Sequence, residues 1–146
     1  MLGIKISSDK VDGIGGKVAR AQRQRMTDAA DAGFALSQEE VPGDRGTLQQ
    51  SGYPPTWEGG SIHWGYRARH AWPMEDGTEP GHTPPVGPLM DWGERVAGDR
   101  GLGWYVARIK APREGIDAQP YARPGRDRQK QYLKTHPFSE YLERQL

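Results

Sequence analysis

The sequence predicts an α+β fold in which a long N-terminal helix packs on a small antiparallel β-sheet, with additional short helices and extended loops or arms. Apolar residues recur at three- and four-residue spacing through residues 17–37, which is the period of an amphipathic helix. Two short segments with strand character follow this helix, and several shorter helical stretches come after them. Strands and helices are segregated along the chain rather than alternating, which favours α+β over a parallel α/β sheet.

The composition indicates one ordered domain, over residues 1–146, that is rich in loops. Only 34% of the 146 residues are hydrophobic, and the chain contains 20 Gly and 12 Pro, which favour turns. Five Trp and six Tyr argue against disorder, because disordered chains are poor in aromatic residues. We therefore expect an ordered domain whose stability is supported by contacts with neighbouring copies.

The N-terminal region combines a predicted short strand with the predicted long helix. Residues 2–7 alternate apolar and polar side chains, which is the period of a strand. Asp9 is a candidate N-cap, but three glycines between residues 13 and 16 leave the helix start undefined. Pro and Gly within residues 41–44 predict the end of the helix.

The middle of the chain predicts a pair of extended segments and then a loop-rich insertion. Residues 53–57 and 61–66 are the extended segments, and the second alternates Ile62, Trp64 and Tyr66 on one face. Residues 68–76 fit a short helix or turn. Four prolines and two glycines between residues 79 and 88 begin the loop-rich insertion, which we place at about 79–103. Within it, residues 89–96 are one further helical piece, and residues 98–103 are a break.

The C-terminal region predicts an amphipathic run and then a helical arm. Residues 104–111 are amphipathic, and residues 120–124 are expected to be extended because they carry two prolines. Residues 125–133 form a basic helix candidate, and residues 136–146 carry apolar side chains at helical spacing. We therefore expect a C-terminal helical arm over about 125–146.

The net charge of +1 conceals an uneven distribution, with basic residues near both ends and acidic residues between them. The basic residues are Lys17, Arg20, Arg23 and Arg25 at one end and Arg123, Arg126, Arg128, Lys130 and Lys134 at the other; the acidic ones are Glu75, Asp76, Glu79, Asp91, Glu94 and Asp99. Such a pattern fits head-to-tail contacts between copies, nucleic-acid binding, or simply solvated helix faces.

Nothing in the sequence indicates a catalytic, metal-binding or cofactor-binding site. The chain has no cysteine, and its four histidines lack the i,i+4 spacing of a helical metal pair. The glycine-rich residues 12–17 are not a phosphate loop, because Val11 and Val18 occupy positions that require Gly and Ser or Thr. The carboxylate pairs at 39–40 and 75–76 are adjacent, whereas acid–base pairs usually come from separated positions that converge in a cleft.

Contact with a membrane is not expected either. No apolar run approaches the ~20 residues that a membrane-spanning helix requires. The N-terminus also lacks the apolar centre of a signal peptide. We therefore expect no membrane partner.

Three segments occur in a fixed order along the chain, at residues 44–51, 70–78 and 115–124. Together they resemble the neck or tail-completion proteins of long-tailed phages, a tail-component family that includes relatives of minor tail protein Z. The positions that match the family pattern are Gly46, Leu48, Ser51, Ala71, Glu75, Gly77, Thr78, Pro120, Arg123 and Pro124. The chain departs from that pattern at Arg45, at Gln49, and at residues 121–122, where Tyr-Ala replaces Phe-Leu.

The resemblance implies a non-enzymatic structural subunit of the virion at the head–tail junction, assembled in the host cytoplasm. Copies of it would form a ring, of six or twelve subunits by analogy, that connects the head connector to the tail around the DNA channel. The implied partners are other copies of the chain, head-completion or connector proteins, tail-terminator or tail-tube proteins, and the viral DNA that passes through the channel.

The residues expected to form a subunit contact or to fix a turn are Trp72, Glu75, Gly77, Thr78, Tyr121 and Arg123. We expect Glu75 to be a turn-fixing or interface carboxylate, with Arg123 of the same or a neighbouring copy as its partner. The alternative function is a small nucleic-acid-binding protein that uses its basic N- and C-terminal segments. A hydrolase is a third hypothesis, for which the sequence offers no catalytic arrangement.

Overall fold

The computed structural model describes residues 8–43 and 46–146, and it has the predicted α+β architecture. A long N-terminal helix packs against a two-stranded antiparallel hairpin, and shorter helices complete the domain. In chain order the elements are α1 (Ser8–Glu40), α2 (Thr47–Gln50), β1 (Gly52–Glu58), β2 (Ser61–Tyr66), α3 (Ala71–Asp76), α4 (Val86–Ala97), α5 (Arg100–Tyr105), a π-helical turn (Val106–Lys110), α6 (Ala111–Glu114), α7 (Ala122–Thr135) and α8 (Phe138–Glu143).

Small side chains on the buried face of α1 allow α7 to cross it closely. Ala29, Ala30 and Ser37 are fully buried on this face. At the crossing, a Cβ added to Gly33 would lie 2.7 Å from the carbonyl oxygen of Gly125. That separation is below van der Waals contact, so the two helices meet through their backbones and only glycine fits at this position.

The hairpin packs on α1 through aromatic side chains. The rings of Phe34 and Trp64 meet edge to face with centroids 5.9 Å apart, and the Trp57 indole N–H donates to the Thr27 hydroxyl at 3.0 Å. A bulge between Tyr53 and Thr56 interrupts the pairing of β1 with β2. The bulge contains the two consecutive prolines of β1, which have no N–H to donate to the neighbouring strand.

The C-terminal helices form part of the folded body, which differs from the expected arm over residues 125–146. Arg25 of α1 donates to the carbonyl oxygens of Leu133 at 2.6 Å and of His136 at 2.8 Å, where the last carbonyls of α7 lack intrahelical partners. Tyr141 of α8 is buried and donates its hydroxyl to the Asp28 carboxylate at 2.8 Å. Both helices are therefore anchored to α1.

Two other segments also differ from the sequence prediction. Within the expected loop-rich insertion, the predicted helical piece at 89–96 is confirmed as part of α4 (Val86–Ala97), whereas the predicted break at 98–103 is limited to Gly98 and Asp99 because α5 begins at Arg100. Gly98 ends α4 in the left-handed conformation at φ 64°, and the Asp99 side chain caps α5. Residues 120–124 were expected to be extended, whereas α7 already begins at Ala122.

The N-terminal region contains the predicted strand at residues 2–7 and the start of the predicted long helix. The predicted strand at residues 2–7 lies outside the described residues. Helix α1 begins at Ser8, one residue before the predicted cap Asp9, and it ends at Glu40, directly before the Pro- and Gly-containing segment. The helix thus tolerates the glycines between residues 13 and 16.

Candidate functional site

The three segments of the resemblance, which are distant in the sequence, meet in one buried cluster. Leu48 comes from the first segment, Ala71 from the second and Tyr121 from the third, and these three residues form a common apolar core. Tyr66 of β2 and Met74 of α3 pack against the cluster. The segments therefore form one structural unit at the junction of α2, α3 and the start of α7.

Glu75 holds this unit together by capping α7 from another helix. Its Oε2 accepts the backbone N–H groups of Tyr121 at 2.7 Å and Ala122 at 2.8 Å, and its Oε1 accepts that of Arg123 at 2.9 Å. N–H groups at a helix start have no intrahelical partner and carry partial positive charge, so a carboxylate there is stabilising. Glu75 is only 8% exposed. We call this arrangement the Glu75 cap.

Tyr121 adds a second link between α3 and α7. Its side chain is 2% exposed, and its hydroxyl donates to the carbonyl oxygen of Ala71 at 2.8 Å. The Tyr66 ring lies edge to face against it, with centroids 4.8 Å apart. Burial, followed by the negative charge of Glu75, raises the pKa of Tyr121 to about 12. The hydroxyl therefore remains a hydrogen-bond donor throughout the neutral range.

Gly77 and Thr78 fix the turn that follows the capping helix. Gly77 has φ 72° and ψ −171°, a conformation restricted to glycine, and a Cβ there would overlap the carbonyl oxygen of Ile116. Thr78 donates its N–H to Ile116 at 2.8 Å and accepts the Ile116 N–H on its own carbonyl at 3.0 Å. The Thr78 hydroxyl also accepts from this N–H at 3.0 Å. This two-residue bridge aligns the second and third segments.

Arg123 contacts Glu75, as expected, through its backbone N–H and a long ion pair, and its short ion pair is with Asp76. Its Nη2 lies 3.0 Å from Asp76 Oδ1, whereas its Nε lies 4.0 Å from Glu75 Oε1. The physical reason is that both Glu75 oxygens already accept backbone N–H groups. Arg123 and Asp76 are each half exposed, so this ion pair is a surface contact of small energetic value.

Trp72 takes no part in the turn. It is 76% exposed, although it belongs to the same short helix as the buried Ala71 and Glu75. Its side chain borders a groove that also contains Arg123 and Arg126. Its assignment to a subunit contact stays a prediction.

Many charges of the predicted basic and acidic regions have partners within the chain. Arg23 lies over the Trp57 ring at 4.1 Å, and Arg25 bonds to the carbonyl groups at the end of α7. Asp91 pairs with Arg100 at 2.9 Å. Some of these charged side chains therefore serve the fold of the chain itself, and a contact between copies through the remaining ones stays a prediction.

Within residues 8–43 and 46–146, no three His, Asp or Glu side chains are grouped so that they could hold a metal ion. In the same part of the chain, no helix is both long and apolar enough to span a membrane. No family model, curated protein or solved structure matches the chain.

Proposed function

We propose that the chain is a non-enzymatic structural subunit of the phage head–tail junction, where copies form a ring that connects the head connector to the tail around the DNA channel. One observation carries this proposal. The three segments that resemble the neck or tail-completion family converge on a single buried unit, built on the contact of Glu75 with Tyr121. Their convergence is what a shared role of the three segments in one structural unit requires.

The thin core of the domain supports an assembly role. Six of its nine buried apolar residues in the described part of the chain are alanines, while the aromatic residues Trp72, Trp104 and Tyr105 are 76%, 49% and 49% exposed. Aromatic side chains are enriched in protein–protein interfaces, because they bury a large area when a partner covers them. A subunit that completes its burial against neighbours would have this distribution.

In a ring, each copy presents two different surfaces to its two neighbours. We place Trp72 in one of these surfaces, next to the half-exposed Arg123. The further partners are the head-completion or connector proteins on one side, the tail-terminator or tail-tube proteins on the other, and the DNA in the channel. Six or twelve copies are the stoichiometries that the resemblance implies.

Assembly without the chain tests this proposal. In the virus that encodes it, loss of the chain should leave DNA-filled heads and separate tails, visible by negative-stain electron microscopy. Adding back the wild-type chain should join them, Trp72→Phe should do so at least partly, and Trp72→Glu should fail. Joined, infectious particles in the absence of the chain would overturn the proposal.

Nucleic-acid binding is the second candidate, and the surface of α7 favours it. Four basic side chains on this helix are exposed: Arg126, Arg128, Lys130 and Lys134. Titration with duplex DNA at two salt concentrations tests this candidate, because phosphate contacts give an affinity that falls steeply with salt. Absence of binding at low salt would remove it.

A further inference from the structure

A groove runs along strand β2, and the Tyr53 side chain of β1 reaches it across Gly65, where an added Cβ would lie 3.0 Å from the Tyr53 hydroxyl. Five consecutive β2 residues, 62–66, line it together with Trp72 of α3 and with Arg126 and Gln129 of α7. Its volume is about 570 Å³. Consecutive residues of a strand point to alternate faces, so a groove that contacts all five lies along the strand edge.

The backbone groups on this edge are available for pairing. Arg67 donates its N–H to the carbonyl of Ser51 across the hairpin at 3.1 Å, and hydrogen-bonded positions alternate along an antiparallel strand. The N–H and C=O groups of Ile62, Trp64 and Tyr66 therefore point away from β1, toward the groove. Among residues 8–43 and 46–146, no strand pairs with this edge.

The side chains of Trp64 and Tyr66 form the aromatic floor of the groove, and hydrogen bonds hold both in place. The Trp64 indole N–H donates to Gln129 at 2.8 Å, and the Tyr66 hydroxyl shares a hydrogen bond of 2.8 Å with Ser37. The Tyr66 ring is also packed against Tyr121. A rigid floor lowers the entropy cost of binding, because the side chains are already ordered before the ligand arrives.

The charged side chains that line the groove indicate which kind of ligand it would bind. The negative charges of Glu75 and Asp76 are already offset, the first by the start of α7 and the second by Arg123. Arg126 is exposed and has no hydrogen-bond or ion-pair partner in the described part of the chain. Among the described lining residues, Arg126 is therefore the guanidinium left without an ion-pair partner, and it complements a carboxylate of the ligand.

We propose that this groove binds an extended peptide segment of a partner protein, which adds to β2 as a third strand and places an Asp or Glu side chain on Arg126. Backbone hydrogen bonds to the open edge would supply affinity, as in other cases of strand addition. The aromatic floor, formed by Trp64 and Tyr66, would receive alternate apolar side chains of the segment. This inference depends on the groove alone and is independent of the particle in which the chain works.

The test begins with a displayed library of random linear peptides, selected on the purified full-length chain. Enriched sequences should alternate apolar and polar residues and carry at least one Asp or Glu. A synthetic copy of the most enriched peptide is then measured by fluorescence anisotropy. Arg126→Glu should weaken its binding by about tenfold or more, since it replaces an attractive charge with a repulsive one.

Matched variants distinguish a loss of binding at the groove from a general effect of charge or of misfolding. Arg128→Glu makes the same charge change on the same helix but outside the groove, so it should alter the affinity by no more than about twofold. Ile62→Pro removes an edge N–H and should weaken binding much more than Ile62→Ala, which keeps this N–H. Far-UV circular dichroism shows that each variant is folded.

Three results would overturn the proposal: no enriched peptide that binds, enriched peptides that lack acidic residues, or equal sensitivity to Arg126→Glu and Arg128→Glu. NMR chemical shifts test directly whether the peptide binds at the strand edge. The amide resonances of Ile62, Trp64 and Tyr66 should shift on peptide addition in an NMR titration. Unchanged resonances at all three positions would also contradict binding at the strand edge.

Discussion

Glu75 and Tyr121 lie 46 residues apart in the sequence, and the Glu75 carboxylate accepts the Tyr121 backbone N–H at 2.7 Å. Through this bond and those to Ala122 and Arg123, a side chain of α3 serves as the cap of α7. The start of a helix is thereby coupled to a distant turn. The stability of the domain should depend on this carboxylate more than on any surface ion pair.

Replacement of Glu75 should destabilise the domain. Glu75→Ala leaves three buried or half-buried N–H groups without an acceptor, and we expect the free energy of unfolding to fall by about 2–4 kcal/mol. Glu75→Gln keeps one acceptor oxygen and should cost about 1–2 kcal/mol. Urea denaturation followed by circular dichroism measures both values.

Asp76→Asn is the matched control for this experiment. It changes the neighbouring carboxylate, whose ion pair with Arg123 is half exposed, and should cost no more than about 1 kcal/mol. If Glu75→Ala were no more destabilising than Asp76→Asn, the Glu75 cap would have no special role.

Alkaline pH should weaken the fold through Tyr121. Its pKa is raised to about 12 in the folded state against about 10 in an unfolded chain, so the folded state holds the proton more tightly. The contribution of Tyr121 to the free energy of unfolding is therefore complete below pH about 10 and is lost as pH rises through about 12, with a size of about 2–3 kcal/mol. Unfolding free energies measured across this range, for wild type and Tyr121→Phe, isolate the contribution. Parallel curves for the two proteins would be evidence against it.

Gly77→Ala should be more damaging than the same change in an open turn. Gly77 combines a conformation restricted to glycine with contact to the Ile116 carbonyl, so the expected loss is about 2–4 kcal/mol. Gly59 also has positive φ, at 60°, but a Cβ there meets nothing within 4 Å. Gly59→Ala should therefore cost only about 1 kcal/mol. Thermal unfolding of the two variants makes the comparison, and similar melting temperatures would contradict it.

Arg25→Ala should reduce stability and have little effect on DNA affinity. Its guanidinium bonds to the carbonyl groups of Leu133 and His136 at the end of α7, and their loss should cost about 1–3 kcal/mol. Lys134→Ala, an exposed change on α7 itself, is the control for stability. A variant that stays as stable as wild type but binds duplex DNA much less tightly would instead favour the nucleic-acid candidate.

The sequence was informative where structure depends on local periodicity. The apolar spacing through residues 17–37 predicted the body of α1, and the alternation of Ile62, Trp64 and Tyr66 predicted β2. Both patterns arise because the apolar side chains of an element lie on the face that packs against a neighbouring element. The end of α1 at Glu40 was predictable as well, because Pro42 and Gly43 follow it directly.

The sequence was less informative where distant groups decide the structure. Helix α7 begins at Ala122 because Glu75 supplies its cap from another element, and no residue next to the helix signals this. Pro124 favours an extended chain when the sequence is considered alone, but a proline in the first turn of a helix lacks only an N–H that would have no intrahelical partner. The shorter ion pair of Arg123 is with Asp76 for the same reason, since the Glu75 oxygens already accept backbone N–H groups.

The most direct test of the assembly proposal is a cryo-electron-microscopy map of the virion that contains this chain. We expect a ring of its copies between the head connector and the tail, with DNA or an open channel on the axis and Trp72 buried in a contact between neighbouring subunits. A head–tail junction without the chain, or the chain at another position in the particle, would contradict the proposal.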